Sequence, residues 1–307
     1  MFQENISLKE FSNYKIGGRA KYFYVPETAE EVLKGIEKAQ KEKLPIFILG
    51  GGTNLLISDK GYQGLIIKPD IKVLKREGNL VRVGAGVSVA DLLNFLINEG
   101  LSGLEWAGGL PGTVGGAIRG NAGAFGGEIK DIVREVVSLD TASMTSKAHT
   151  NAESKFGYRS SFFKERGSEV ILEALLELKL GDKEVIRKAI QEKIDYRNTR
   201  HPMDFPSLGS TFKNVDVKHL PKEVAERFTD KIKKDPFPVL PTAILLSEAG
   251  LKGAREGGAM FSEKHPNFIV NVEGATAADV EKLIALAKKT VKDKFGVLLE
   301  EEIQRVG

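Results

Sequence analysis

The chain has no cysteine, one tryptophan and four histidines among its 307 residues. Zero cysteine excludes a disulfide framework, a thiolate metal site and a thiol nucleophile, so any redox or covalent chemistry must come from elsewhere. The histidines, His149, His201, His219 and His265, are scattered with no i, i+4 pair, and no metal site is expected. No apolar run approaches the roughly eighteen residues of a membrane span, and the leading MFQENISLKEF has no signal-peptide pattern. A soluble cytoplasmic protein is therefore expected. A charge excess is missing as well: 45 basic and 42 acidic residues are interspersed and leave +3, as solvated helix faces do. Such a balance offers no footprint for nucleic acid.

The 41% hydrophobic content of a chain this long is ample for more than one core, and two or three domains are expected. Thr28 with Glu31 gives a capping-box signal for a helix to about Lys41, followed by an apolar strand from Pro45 to Leu49. Ser88 with Asp91 opens a second helix, which Gly100 stops. A strand is predicted near Val133 to Asp140. Another is predicted from Val170 to Leu180, where Val170, Leu172, Ala174, Leu176, Leu178 and Leu180 alternate with more polar neighbours. A helix from about Lys183 to Tyr196 leads into Thr199 to Ser207, where Pro202 and Pro206 mark a linker. The last helix starts at Thr276, with Asp279 in the capping position, and ends at Gly296.

Glycine, by contrast, is concentrated. Nine of the twenty residues from Gly108 to Gly127 are glycine, in GGLPGTVGGAIRGNAGAFGG. Glycine loses the most backbone entropy on folding, so a run this dense implies backbone that something must approach closely, and a large ligand is the expected visitor. A second cluster, Gly50-Gly51-Gly52-Thr53-Asn54, ends the strand at Leu49. Two such loops suit an extended, phosphate-bearing molecule held by backbone N–H groups. Neither contains Gly-Lys-Ser/Thr, which removes a P-loop. The first has no G-x-G-x-x-G opening a helix, which argues against a Rossmann site. Three consecutive glycines also serve as a plain tight connection. The longer run is harder to read so, because a twenty-residue connection without secondary structure is uncommon unless functional.

Residues 49–56 (LGGGTNLL) with 109–126 (GLPGTVGGAIRGNAGAFG) resemble the flavin-binding half of the UDP-N-acetylenolpyruvoylglucosamine reductases. Later stretches agree in order: 156–163 (FGYRSSFF), 206–214 (PSLGSTFKN), 247–253 (SEAGLKG) with 261–271 (FSEKHPNFIVN), and 299–307 (LEEEIQRVG). The resemblance spans nearly the whole chain. The GGGTN loop alone indicates only the wider flavoprotein class related to vanillyl-alcohol oxidase; the set together is specific to the reductases. It implies an α+β fold. A two-lobed FAD-binding domain of the vanillyl-alcohol oxidase type is expected over residues 1–200, with lobes of about 1–68 and 69–200. An α+β substrate-binding domain follows over 206–295, and a C-terminal strand over 296–307 returns to the active site. The implied reaction is the NADPH-dependent, FAD-mediated reduction of the enolpyruvyl group of UDP-N-acetyl-3-O-(1-carboxyvinyl)-glucosamine to UDP-N-acetylmuramate. That step serves peptidoglycan synthesis, and so cell-wall biogenesis, cell shape and division, with no nucleic-acid, membrane or obligate protein partner.

The same resemblance assigns residues. FAD falls to Gly50, Gly51, Gly52, Thr53, Asn54, Leu55, Gly112, Thr113, Gly116, Asn121 and Gly123. No His or Cys lies in the GGGTN loop to tether a flavin, so dissociable FAD is expected. The chemistry needs stabilisation of a developing enolate and a proton for the α-carbon. Arg159 and Glu302 are implied to flank the substrate carboxylate, and Ser210 to donate the proton. A guanidinium fork suits a planar carboxylate, and a buried, protonated Glu donates rather than repels. Tyr158, Arg200 and Asn214 match substrate-binding positions. The family's usual Leu-Glu-Pro-Glu is Leu299-Glu300-Glu301-Glu302 here, so Glu300 and Glu301 stay open as rivals of Glu302. Strand alternation puts Glu300 and Glu302 on one face and Glu301 on the other, taken as the solvated side.

Further departures are Gly120, where the family often has a bulkier residue, and Phe125, where Tyr is common. Between Leu180 and Arg197 there is room for one helix only, so the chain resembles the shorter class that lacks a tyrosine-bearing loop. Two other readings are a different FAD oxidase or dehydrogenase of the wider class, and an idle nucleotide-sugar binding protein.

Overall fold

The computed structural model describes residues 1–234 and 237–307, and they divide into two compact units. The first takes Met1–Ile6, Ala20–Gly52 and Gln63–Arg197; the second takes Ser7–Arg19, Thr53–Tyr62 and Asn198–Gly307. The units are thus discontinuous in sequence. Two early segments join the C-terminal unit because Tyr14, Ile16 and Leu56 are buried in its core. The chain therefore changes unit between Gly52 and Thr53, inside the GGGTN loop.

In the first unit, Thr28 accepts a hydrogen bond from Glu31 N, and Glu31 in turn accepts from Glu27 N. This start fixes the helix Ala29–Lys41, which buries Val32, Ile36 and Ala39 on one face against Tyr24, Leu65 and Ile67. Those partners belong to a four-stranded sheet ordered Gln3–Ser7, Arg19–Tyr24, Tyr62–Ile67, Ile46–Ile48. A second, five-stranded antiparallel sheet is ordered Thr145–Thr150, Val133–Asp140, Glu169–Glu177, Leu80–Gly84, Leu74–Glu77. Val136, Ala174 and Val83 lie side by side across it and are fully buried, so register and core are set by the same row.

Two boundaries differ from the sequence expectation. The strand through Ala174 stops at Glu177 because its partner begins at Leu80; Leu178 N bonds instead to Asn79 O, and Leu180 is exposed. The next helix, Lys183–Arg200, runs past Tyr196 into the expected linker. Pro202 sets the limit, since the residue before a proline is pushed out of the helical region.

In the second unit, strands Arg255–Glu256, Ala259–Phe261 and Ile269–Asn271 form an antiparallel sheet. The helix Ala277–Phe295 buries Val280, Leu283, Ile284, Ala287 and Val291 in the same core. Its first amides are all matched: Thr276 and Asp279 cap each other, and the Asp59 carboxylate accepts from Ala277 N and Ala278 N. Gln304–Val306 pairs in parallel with Leu55–Ile57. Among the described residues no helix is long and apolar enough to cross a membrane.

Candidate active site

The two glycine runs meet in the first unit. A Cβ on Gly51 would lie 2.6 Å from Gly112 Cα, and one on Gly50 3.0 Å from Thr113 Oγ1. At Gly51 backbone rests on backbone, which only glycine allows, and at Gly50 the Thr113 hydroxyl leaves little room for a side chain. The longer run is not structureless, as its length had suggested. Thr113 caps a helix, Val114–Arg119, that buries Val114, Ala117 and Ile118, and Gly123–Ala124 pairs with Gly127–Glu128 as a hairpin.

The nine glycines of this run separate by physical cause. On Gly108, Gly115, Gly123 or Gly127 a Cβ would sit 2.4, 2.8, 2.7 or 2.2 Å from a neighbouring atom. Gly109, Gly112 and Gly126 have φ of 72°, 111° and 85°, the region glycine favours. Gly116 and Gly120 show neither constraint: the nearest atom to an added Cβ is 3.5 Å away in both cases, and Gly120 has φ of −89°. Most of the run is therefore glycine for the protein's own packing. Packing and backbone angle account for seven of the nine, so the density of the run does not itself call for a ligand; Gly116 and Gly120 have neither reason.

Arg159 is held at an unusual backbone angle. Gly157 and Ser160 exchange two backbone hydrogen bonds, of 2.9 and 3.2 Å, and Arg159 inside this turn has φ of 55°. For a side chain other than glycine that costs about 1–2 kcal/mol, a price met by the contacts around it. Arg159 Nη2 donates to Gly123 O at 2.9 Å, Lys164 Nζ donates to Arg159 O at 2.7 Å, and the guanidinium lies 5.2 Å from the Tyr158 ring centre. Asn121, fully buried with φ of 41°, ties the glycine run to the same turn, donating to Gly157 O at 2.8 Å and accepting from Lys130 N. Asn121, Gly123, Tyr158 and Arg159 are thus brought together, with the Asn121 side chain used inside the protein.

In the second unit, residues 211–213 run beside residues 300–302. Glu302 N donates to Thr211 O at 2.8 Å, and Lys213 N to Glu300 O at 2.9 Å. Ser210, half-buried, directly precedes this ladder, and Glu302 lies within it. Asn54 Nδ2 donates to Glu302 O at 2.9 Å and Gln304 N to Asn54 O, so the side chain assigned to cofactor binding also holds the terminal segment. Leu55 opens the strand that pairs with Gln304–Val306. Asn214 Oδ1 accepts from Thr242 N at the start of the helix Thr242–Glu248. Arg200 is exposed at the end of its helix, and the hydrogen bonds of the frame do not include it.

The three terminal carboxylates have distinct surroundings. Glu300 is exposed and ion-paired with Lys213. Glu302 is half-buried. Glu301 does not lie on a solvated side, contrary to expectation: its carboxylate is ion-paired with both Lys288 and Arg305, at 16% side-chain exposure. Burial pushes the Glu301 carboxyl up, but hydrogen bonds from Lys288 and Arg305 outweigh it and hold the group below its ordinary range. Residues 300–302 are not a strand, only Glu301 making a bridge, to Phe212, and the Glu301 side chain meets the helix Ala277–Phe295 through Lys288. Among the described residues no group of three or more His, Asp or Glu side chains has the arrangement of a metal site.

A family model for an FAD binding domain matches residues 20–147. The α+β fold and these backbone cradles therefore define a flavin-dependent oxidoreductase. A second family model, the C-terminal domain of UDP-N-acetylenolpyruvoylglucosamine reductase, matches residues 201–306. Proteins named UDP-N-acetylenolpyruvoylglucosamine reductase from Caldanaerobacter subterraneus subsp. tengcongensis and Listeria innocua are 39% and 36% identical to this chain. The matches cover 99% of the chain in both cases, and 93% and 94% of those proteins. The crystal structure of UDP-N-acetylenolpyruvylglucosamine reductase (MurB) from Thermus caldophilus superposes with a TM-score of 0.79 over the whole of both chains, at 29% identity. The chain belongs to the UDP-N-acetylenolpyruvoylglucosamine reductase family.

The residues present fit an FAD. Gly116 and Gly120 leave backbone uncovered where neither φ nor internal packing calls for glycine; Gly116 lies within the helix Val114–Arg119, where glycine costs about 0.5–1 kcal/mol relative to alanine, and Gly120 caps its end. Sequence reasoning missed Asn267, which grips the Ser210 segment from behind. Its motif, FSEKHPNFIVN, was visible, but its partners are 55 residues away.

Proposed function

We infer that the chain reduces the enolpyruvyl group of UDP-N-acetyl-3-O-(1-carboxyvinyl)-glucosamine to the lactyl ether of UDP-N-acetylmuramate, a step of peptidoglycan precursor synthesis, in the cytoplasm. NADPH is the reductant and FAD is bound without a covalent link. The observation that carries this reading is the main-chain ladder between residues 211–213 and 300–302, which has Ser210 next to it and Glu302 within it. An oxidase of the wider flavoprotein class has no need of a proton donor and a carboxyl group fixed in one ladder.

FAD, when bound, supplies a hydride originating from NADPH to the β-carbon of the enolpyruvyl ether. Addition there moves the double-bond electrons toward the carboxylate and leaves an enolate. Arg159 neutralises that charge with a guanidinium whose backbone is fixed by the Gly157 to Ser160 turn. Glu302 flanks the same carboxylate and serves as its hydrogen-bond partner as the enolate develops. Ser210 Oγ delivers the proton to the α-carbon, completing addition of one hydride and one proton. Gly50, Gly51, Gly52, Thr53, Asn54, Leu55, Gly112, Thr113, Gly116, Asn121 and Gly123 belong to the FAD-binding segments, and Tyr158, Arg200 and Asn214 serve the UDP-sugar. The test is to incubate the purified protein with NADPH and the enolpyruvyl sugar nucleotide, with NADH in parallel. The saturated lactyl product should form, faster with NADPH; recovery of unchanged substrate beside bleached flavin would leave a different flavoenzyme.

A further inference from the structure

Residues 211–213 have two hydrogen-bonding edges, and a different partner satisfies each. One edge takes the main chain of residues 300–302. On the other, Asn267 Nδ2 donates to Phe212 O at 2.8 Å, Asn267 Oδ1 accepts from Phe212 N at 3.0 Å, and Asn267 O accepts from Thr211 N at 2.7 Å. A carboxamide carries the same donor and acceptor pair as a peptide group, so one buried side chain stands in for a neighbouring strand. Asn267 is 2% exposed and Phe212 is fully buried, so water cannot take over either bond.

The loop that presents Asn267 is itself fixed. Ser262 N bonds to Phe268 O and Phe268 N to His265 O, while Ser262 Oγ accepts from Lys264 N and His265 N. Upstream of Ser210, Asn271 N bonds to Pro206 O and Asn13 Nδ2 to Ser207 O, and Ser207 pairs with Val270. Gly209 separates these contacts from the serine, at φ of 78° and with no atom within 4 Å of where its Cβ would stand. The Ser210 hydroxyl thus takes its position from the downstream side, the side Asn267 grips.

We propose that Asn267 is a positioning residue, which locks residues 211–213 against residues 300–302 and so sets the proton donor Ser210 in register with Glu302. The proposal rests on the reading of Ser210 as the proton donor. A misplacement on the order of 1 Å costs about a hundredfold in rate, so the clamp acts on protonation rather than on flavin chemistry.

Asn267→Asp keeps the shape and makes the donor depend on pH. Burial beside Phe212 O favours the protonated acid, whose O–H replaces the lost N–H; ionisation replaces that donor by a repelling oxygen. In single-turnover experiments, reoxidation of the prereduced variant by the enolpyruvyl substrate should approach the native rate at low pH. It should fall by about tenfold to a hundredfold as pH rises, while reduction by NADPH tracks the native enzyme throughout. Asn267→Gln, which retains both groups displaced by one methylene, should slow reoxidation with no new titration, and serves if the Asp variant does not fold. Ser210→Ala is run beside them. If it slows reoxidation while the Asn267 variants damage both half-reactions equally or show native rates, the positioning role is overturned and the serine keeps its own. If Ser210→Ala reoxidises at the native rate, the proton-donor reading fails, and the positioning role with it.

Discussion

The two units differ in how the surfaces around their candidate residues are built. In the first, the surface is made by leaving side chains out: Gly50 and Gly51 lie on Thr113 and Gly112, and Gly116 and Gly120 leave backbone bare. In the second, it is made by interlocking polar groups from distant parts of the chain, with Asn54, residues 211–213, Asn267 and residues 300–302 bonded in one frame. The first arrangement suits a large, flat cofactor that needs room and backbone N–H groups. The second suits proton transfer, where a small displacement is expensive. Damage to the first should therefore appear as lost cofactor, and damage to the second as lost chemistry in an enzyme that keeps its cofactor.

The sharpest separation is expected from Ser210→Ala. It should leave NADPH-dependent bleaching of the flavin nearly intact, while reoxidation by substrate slows by roughly two to four orders of magnitude, the usual worth of a positioned general acid. Equal loss in both half-reactions would make the serine structural. Next in size, Glu302→Ala should slow reoxidation by about a hundredfold to a thousandfold, as removal of one donor to a developing oxyanion does. Glu302→Gln, still a donor of the same shape, should retain more. Glu300→Gln removes only the exposed pair with Lys213 and should reoxidise like the native protein; a loss confined to that variant would move the acidic role two residues upstream.

The glycine cradle gives a smaller effect of a different kind. A Cβ at Gly120 meets nothing closer than ordinary contact inside the protein, so Gly120→Ala should fold and yet bind FAD more weakly, measured by flavin release on dilution. Gly127→Ala places its Cβ against Trp106 and should lower stability whether or not flavin is present. If both variants keep flavin at the native affinity and only stability changes, the run serves packing alone.

Smallest of all is Glu301→Gln, which should leave both half-reactions unchanged and lower stability by less than about 1 kcal/mol, since Lys288 and Arg305 are partly solvated. The pH dependence has a definite sign. The folded-state carboxyl is held below its ordinary range, so its contribution is present above that range and is lost as pH falls through the folded value. Melting temperatures of native protein and variant should differ at neutral pH and converge in acid.

Local chemistry made much of this legible without a structure. The caps at Thr28, Ser88 and Thr276 and the stop signals at Gly100 and Gly296 act within a turn or two, so the helices they bound could be read residue by residue. The glycine runs and the Arg159, Ser210 and Glu302 motifs were equally visible, because each is a contiguous string. Tertiary structure decided what depends on distant partners. It divided the nine glycines into those crowded by Trp106, Glu128, Ala85 or Ile190, those held at positive φ, and the two left bare, and it set Glu301 against a helix. It also drew residues 7–19 and 53–62 into the C-terminal unit, and set Asn267 against a segment 55 residues away. Sequence spacing carries backbone preference and periodicity, whereas burial and hydrogen-bond partnership across such separations exist only once the chain has closed on itself.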